Sequence, residues 1–400
     1  MDGYNFELWL NIATDGNAEL THKLIMAFGT AEQIYNASAP DIYKKVKDIE
    51  DKWVDMLCDK SMDKVNECKE FCQKFGVRII LQNDSEYPER LSMILDPPRL
   101  LYLMGNKIDF DDNVCIAIVG MRECSSYGTS SARKLSYELT KQGAIIVSGI
   151  AKGIDAAAHS ACIEAGGITV AVLGSGLATA YPPCNRELYK RVLAKGLLIT
   201  EHPPFSPPEK NHFPVRNRII SGLCQGVLVV ECDIRSGAMI TARRARSQGK
   251  LLYAVPSKIN DYSGSGNLEL IKNGAKVVTC GGDIIEDFEL SYPHRVKADY
   301  KIKLPLPVDT IHEVPIKKST KKKASASKQV VAFNVEKASW YNELTPNGKI
   351  IAKALKEKNM TTDDFVKIGI PLDELLTDLT LMEIQGVIEA VPGGFYKLKV

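Results

Sequence analysis

A chain of 400 residues, 45% hydrophobic and 25% charged, is long enough for two or three domains and too apolar for wholesale disorder. A net charge of only +2 excludes a globally basic nucleic-acid wrap, and the ten cysteines include no C-x-x-C pair, so a paired-ligand zinc site is excluded too. No run approaches a membrane span and the first residues carry acids where a signal peptide needs cations, so the chain reads as cytoplasmic with reduced thiols.

Residues 1–80 read as helices separated by short turns, at 6–12, 18–28, 31–36, 40–45 and 60–75. Residues 1–85 hold 15 acidic and 10 basic side chains, a balance that suits packing and protein contact better than DNA. A transitional stretch with Pro88, Pro97 and Pro98 leads to an expected strand at 100–104. Then come short apolar, β-branched runs at 114–120, 145–147, 168–174, 197–201, 227–231 and 251–255, with helical segments between them. That alternation predicts an α/β fold, an extended Rossmann-like, mostly parallel sheet covered on both faces and spanning residues 81–295.

The chemistry gathers where these strands end. At 144–165 the run AIIVSGIAKGIDAAAHSACIEA breaks at Ser148-Gly149, passes Lys152-Gly153 and resumes as a helix with Asp155 in its first turn. A strand, a glycine turn and a helix start together make an anion cradle, because the free backbone N–H groups point at whatever sits over the turn, and Lys152 adds a full charge. Gly120 with Arg122, and Gly174, end two further strands in the same way. The bland alternative is that the glycines only let strand and helix pack closely. Residues 213–250 hold seven basic and two acidic side chains. Within them, Pro214 suits a first helical position, which puts Arg216, Asn217 and Arg218 on the first turn beside Phe213. Arginine forks fit phosphates and an aromatic face takes a base, whereas the bland reading turns Phe213 inward. Several chemically similar strand ends together favour a binding crevice.

Residues 296–338, with Pro305, Pro307, Pro315 and a lysine-rich run over 317–328, have linker composition. Residues 339–400 restart a small domain: helices at 345–356, after 361–364 and at 371–384, then a hairpin of 387–391 with 395–398. Three helices and a hairpin is the order of a winged helix. Its candidate third helix carries Asp373, Glu374, Asp378 and Glu383 and no Lys or Arg, so it is not expected to read DNA.

Through SGIAKGID at 148–155 with His159, and FPVRNRIISGL at 213–223, the sequence resembles the DprA/Smf family of bacterial single-stranded-DNA-binding proteins of natural transformation. Gly174 with Tyr181, Pro182 and Asn185, and Ser236-Gly237 with Thr241-Ala242, are similar to the family pattern; Met121, Ala238 and Ser257 depart from it. The resemblance implies a SAM- or helix-hairpin-helix-like N-terminal domain, the Rossmann-like domain and a C-terminal winged-helix domain. It implies a cytoplasmic homodimer that coats incoming single-stranded DNA, shields it and loads RecA recombinase. Carried over by residue, Gly120, Arg122, Ser148, Gly149, Lys152, Phe213, Arg216, Asn217 and Arg218 would line the DNA groove, and the turn glycines Gly153 and Gly174 complete the candidate site. No metal, cofactor or catalytic residue is expected. The rival reading is a Rossmann-like hydrolase of nucleoside monophosphates with Glu201 or Glu231 as general base; no Walker A run or G-x-S-x-G supports it. A dinucleotide-dependent oxidoreductase lacks an intact G-x-G-x-x-G.

Overall fold

The computed structural model of the chain describes residues 3–302 and 304, then 340–341, 344–357, 360–371, 374–375, 378–379, 382–383, 387–391 and 395–398. Two compact units are present, Met1–Thr310 and Ile311–Val400. The lysine-rich run over 317–328 and most of the proposed linker lie outside the described residues.

In the first unit the strands are β1 Arg78–Leu81, β2 Leu100–Gly105, β3 Cys115–Val119, β4 Ile145–Ser148, β5 Thr169–Val172, β6 Leu197–Thr200, β7 Gly226–Val229, β8 Leu251–Ala254 and β9 Lys276–Val277. They form one nine-stranded sheet in the order β1-β2-β6-β5-β4-β3-β7-β8-β9. From β6 to β9 every pairing is parallel, and β1 and β2 add an antiparallel edge. Every residue of β3 to β7 is buried, which is why these strands read as unbroken apolar runs rather than alternating ones. Ile118 pairs with Leu228 and Val119 with Val229, so β3 and β7 end level.

Alternate residues of each strand feed two faces. On one, Val119, Val147, Val172 and Val229 pack with Ile219, Ile220, Ala238 and Ala242 of the helices His212–Gly222 and Gly237–Ser247. On the other, Ile116, Ile118 and Ile146 pack with Leu135, Leu139, Ala158 and Cys162 of the helices Ser126–Lys141 and Ile154–Glu164.

The N-terminal helices are Gly3–Ala13, Ala18–Phe28, Ala31–Tyr35, Ala39–Lys45, Asp51–Cys58 and Asp63–Phe75. Two of the shortest start at capping boxes built on Thr30 and Ser38, each worth about 1 kcal/mol. Their apolar residues share one core with the sheet: Leu8, Trp9, Leu24, Ile34 and Leu57 pack with Leu100, Tyr102, Ala171 and Leu198. Each fully buried leucine or isoleucine there contributes roughly 1.5–3 kcal/mol.

In the second unit β10 Met360–Thr361, β11 Ile388–Val391 and β12 Phe395–Leu398 form an antiparallel sheet in the order β10-β12-β11. It packs with the helices Pro346–Glu357 and Thr362–Lys367 around Ile351, Leu355, Phe365, Leu375 and Leu379. Much of the helix expected over 371–384 lies outside the described residues. Among the described residues no helix is long and apolar enough to cross a membrane.

Candidate nucleic-acid interface

β3 has β4 on one side and β7 on the other, and the helices that follow β3 and β7 pack on opposite faces of the sheet. That is the switch point of a doubly wound sheet, where a crevice opens beyond the strands' carboxyl ends. Here it has a volume of about 460 Å³, with Gly120, Arg122, Lys210, Phe213, Arg216 and Asn217 on its wall.

Phe213 sits in the first turn of the helix His212–Gly222, which begins two residues before the expected Pro214. Its ring is half-buried. The guanidinium carbons of Arg122 and Arg216 lie 5.4 and 5.9 Å from the ring centroid, and Tyr181 lies 5.6 Å away at a tilt of 37°. Gly174 is buried beside the ring; a Cβ there would come within 2.9 Å of Phe213 Cδ1. The absence of that side chain is what seats the ring. Two cations by its quadrupole, one of them the exposed Arg122, hold it in place.

The turn over 148–153 corrects the expected anion cradle. Gly149 and Ala151 N–H donate to Asp155 Oδ2 at 3.1 and 3.3 Å, so the chain's own carboxylate fills the cradle. Burial pushes the Asp155 carboxyl up, against the pull of Arg216. Between these bonds Ile150 is held at φ +54°, a left-handed conformation that costs a β-branched residue roughly 1–3 kcal/mol. Asn185 Nδ2 clamps the same loop, donating to Ile150 O at 2.9 Å and Ala151 O at 3.1 Å. Gly153, at φ +76°, lets the loop after β3 close in: a Cβ there would lie 2.3 Å from Met121 O. Lys152 is exposed on the turn but outside the crevice wall.

Three of the expected DNA ligands are engaged in bonds within the fold. Ser148 is buried, and its hydroxyl donates to Ile118 O at 2.7 Å. Arg216 is only 4% exposed, and its Nη1 donates to Gly149 O at 3.1 Å and to Val172 O. Gly149 makes that possible, since a Cβ would stand 2.6 Å from Arg216 Nη2. Burial lowers the Arg216 guanidinium to about 10, with Asp155 opposing, so it stays charged at neutral pH. Arg218 is 0% exposed. Its Nη1 and Nη2 donate to Glu201 Oε1 and Oε2, both at 2.6 Å, and its Nε donates to Asp96 O at 2.8 Å. Two residues along a helix rotate a side chain by about 200°, so Arg216 and Arg218 cannot face one ligand. Burial would raise Glu201, but the Arg218 fork outweighs it and holds the carboxyl below its ordinary range.

The other carboxylate of the hydrolase reading is also engaged: Glu231 accepts from Ser125 N, Ser125 Oγ and Ser263 Oγ at 2.9, 3.1 and 2.6 Å. His159 Nδ1 meets Thr169 Oγ1 at 2.6 Å, and burial pushes its imidazole down to about 3, so it is neutral. Among the described residues no group of three His, Cys, Asp or Glu is placed to hold a metal ion. Sequence reasoning missed Lys210, which precedes the Phe213 motif by three residues, and the inward role of Asp155.

Comparison with known proteins supplies the context for this crevice. The family described as DNA recombination-mediator protein A matches the chain over residues 78–289. DNA processing protein DprA of Streptococcus pneumoniae is 44% identical over 228 residues, 57% of this chain and 79% of that protein. Protein Smf of Synechocystis is 33% identical over 330 residues, 81% of each chain. The X-ray structure of the pneumococcal DprA superposes with a TM-score of 0.61 at 37% identity, covering 71% of this chain and 98% of that one.

Proposed function

Because the chain belongs to the DNA recombination-mediator protein A family, we propose that it binds single-stranded DNA without sequence preference in the crevice at the carboxyl ends of β3 and β7. The observation that carries this is the half-buried Phe213 ring, seated on Gly174 and flanked by Arg122. A base must leave its duplex partner to lie on a ring set inside a crevice, which selects single strands. Arg122, Lys210 and Asn217 reach backbone chemistry common to all sequences, and Gly120 and Gly153 let the loop that carries Arg122 pack closely against the turn before Ile154. Lys152, exposed on the neighbouring turn, extends the positive field.

We infer further that it is a cytoplasmic homodimer that shields incoming DNA during natural transformation and delivers it to RecA recombinase, a reading whose recombination role accords with the family's description as a recombination mediator. On this reading the protein acts by binding, and Glu201 and Glu231, the general bases of the hydrolase alternative, are both engaged in bonds within the fold. The C-terminal unit serves as a winged helix that does not itself read DNA: Glu374 and Glu383 are exposed on the segment expected as its third helix, which carries no Lys or Arg.

The test is a fluorescence-anisotropy titration of the full chain with labelled oligo-dT, single-stranded against duplex, over a salt series. Single strands should bind preferentially, with log affinity falling against log salt by about 0.7 per neutralised phosphate. A flat salt response, or preference for duplex, refutes the assignment.

A further inference from the structure

Phe213 has an aromatic neighbour that the crevice does not use. The Tyr181 ring packs against it, centroids 5.6 Å apart and planes tilted by 37°, but lies outside the crevice wall. Tyr189, by contrast, is buried and spends its hydroxyl on Leu177 O at 3.0 Å. Tyr181 is half-buried, and among the described residues its hydroxyl has no hydrogen-bond partner. The segment that carries it is fixed: Asn185 N–H donates to Pro182 O at 2.9 Å, and the Asn185 side chain binds Ile150 O and Ala151 O. Through that clamp two exposed cations flank the segment, Lys152 on the clamped turn and Arg186 next to Asn185. Among the described residues neither has a carboxylate partner, and Glu187 is paired with Lys190 at 3.3 Å.

Bracing Phe213 would account for the contact between the rings but not for two unanswered cations beside a half-open aromatic face. Together these are the parts of a single-strand track, stacking faces with cations along the backbone. Successive nucleotides of a duplex strand rise roughly 3.4 Å and an unstacked strand reaches further, so rings 5.6 Å apart suit neighbouring nucleotides. A tilt of 37° is too steep for one flat base to lie on both rings. We propose that Tyr181 is a second stacking platform: the strand leaves the crevice over Phe213, lays its next base on Tyr181, and passes its phosphates to Lys152 and Arg186. The inference rests on the single-strand reading and adds to it the strand's path out of the crevice.

Two measurements on the full chain test it. Oligo-dT carrying 5-iodouracil, a base that crosslinks under ultraviolet light to the ring it stacks on, should attach to both Phe213 and Tyr181. Tyr181→Leu, which keeps an apolar side chain against Phe213 but has no π-face, should fold and lose roughly 5- to 150-fold in affinity for oligo-dT. Lys152→Gln with Arg186→Gln, both exposed, should lower the log–log salt slope by about 0.7 for each of two phosphates. Crosslinks confined to Phe213, or wild-type affinity in Tyr181→Leu, overturn the second platform and leave the single-strand reading standing. An unchanged salt slope in the double variant overturns the path past Lys152 and Arg186. Wild-type affinity in Phe213→Ala as well as in Tyr181→Leu overturns both readings.

Discussion

Replacing Arg218 by alanine should unfold rather than disarm the protein. The substitution removes a fork whose two bonds to Glu201 are both 2.6 Å and a third bond to Asp96 O at 2.8 Å. It leaves Glu201, 2% exposed, as a buried carboxylate without its cation. Breaking one side of such a pair costs about 3–5 kcal/mol, and the lost bond to Asp96 adds about 0.5–1.5. Against a total stability of about 5–15 kcal/mol, that is about a quarter of the fold's stability or more. The pH dependence gives a second signature. In the intact protein the fork holds Glu201 low, so the stabilisation is present above the unfolded carboxylate range and is lost as pH falls through the folded value. In Arg218→Ala burial is opposed only by His202 and His212 and the carboxyl rises, so the deficit shrinks as pH falls toward the ordinary carboxylate range. Urea denaturation by circular dichroism at several pH values measures both. The double variant Arg218→Met with Glu201→Leu, which buries no lone charge, should recover most of the loss. Undiminished stability together with lost DNA affinity in Arg218→Ala would refute the reasoning and return Arg218 to the binding surface.

Phe213→Ala should cost about 1–3 kcal/mol of single-strand affinity in anisotropy titrations, with little change in melting temperature because the ring is only half-buried. Arg122→Ala, at an exposed position, should leave thermal stability intact and reduce the salt slope by about 0.7; an unchanged slope removes Arg122 from the phosphate contacts. A chain ending at Thr310, the limit of the first compact unit, should keep most single-strand affinity. Loss of binding in that shortened chain would place a DNA contact beyond residue 310.

Much of the sheet was legible because buried parallel strands leave continuous β-branched runs, as in IIVS of β4 and TVAV of β5. β9 was not, since two residues, Lys276 and Val277, make no pattern. The helix Asp51–Cys58 escaped because its N-cap Glu50 makes no capping bond and no Ser, Thr, Asn or Asp stands at the N-cap to mark the start. In the crevice, Phe213 and Arg122 followed from residue type and place. The division between Arg216, which supports the loops, and Arg218, which braces Glu201, depends on the phase of the helix against the sheet, and a local motif does not carry that phase. Asp155 shows a deeper ambiguity. A glycine turn that receives a phosphate and one that receives its own helix's carboxylate need the same backbone donors, so the two look alike in a sequence.

The shared core of the N-terminal helices and the sheet has a consequence for biosynthesis. The last of these helices ends at Phe75, whereas Ala171 and Leu198, against which the group packs, lie on β5 and β6. At roughly 5–20 residues per second, the helices that carry the apolar stripes of Leu8, Leu24 and Ile34 are all synthesised about 6–25 s before β6 is complete, counting from Phe75 to Thr200. During that interval the nascent helices have only each other to cover these stripes, and any pause of translation between Phe75 and Thr200 prolongs the exposure.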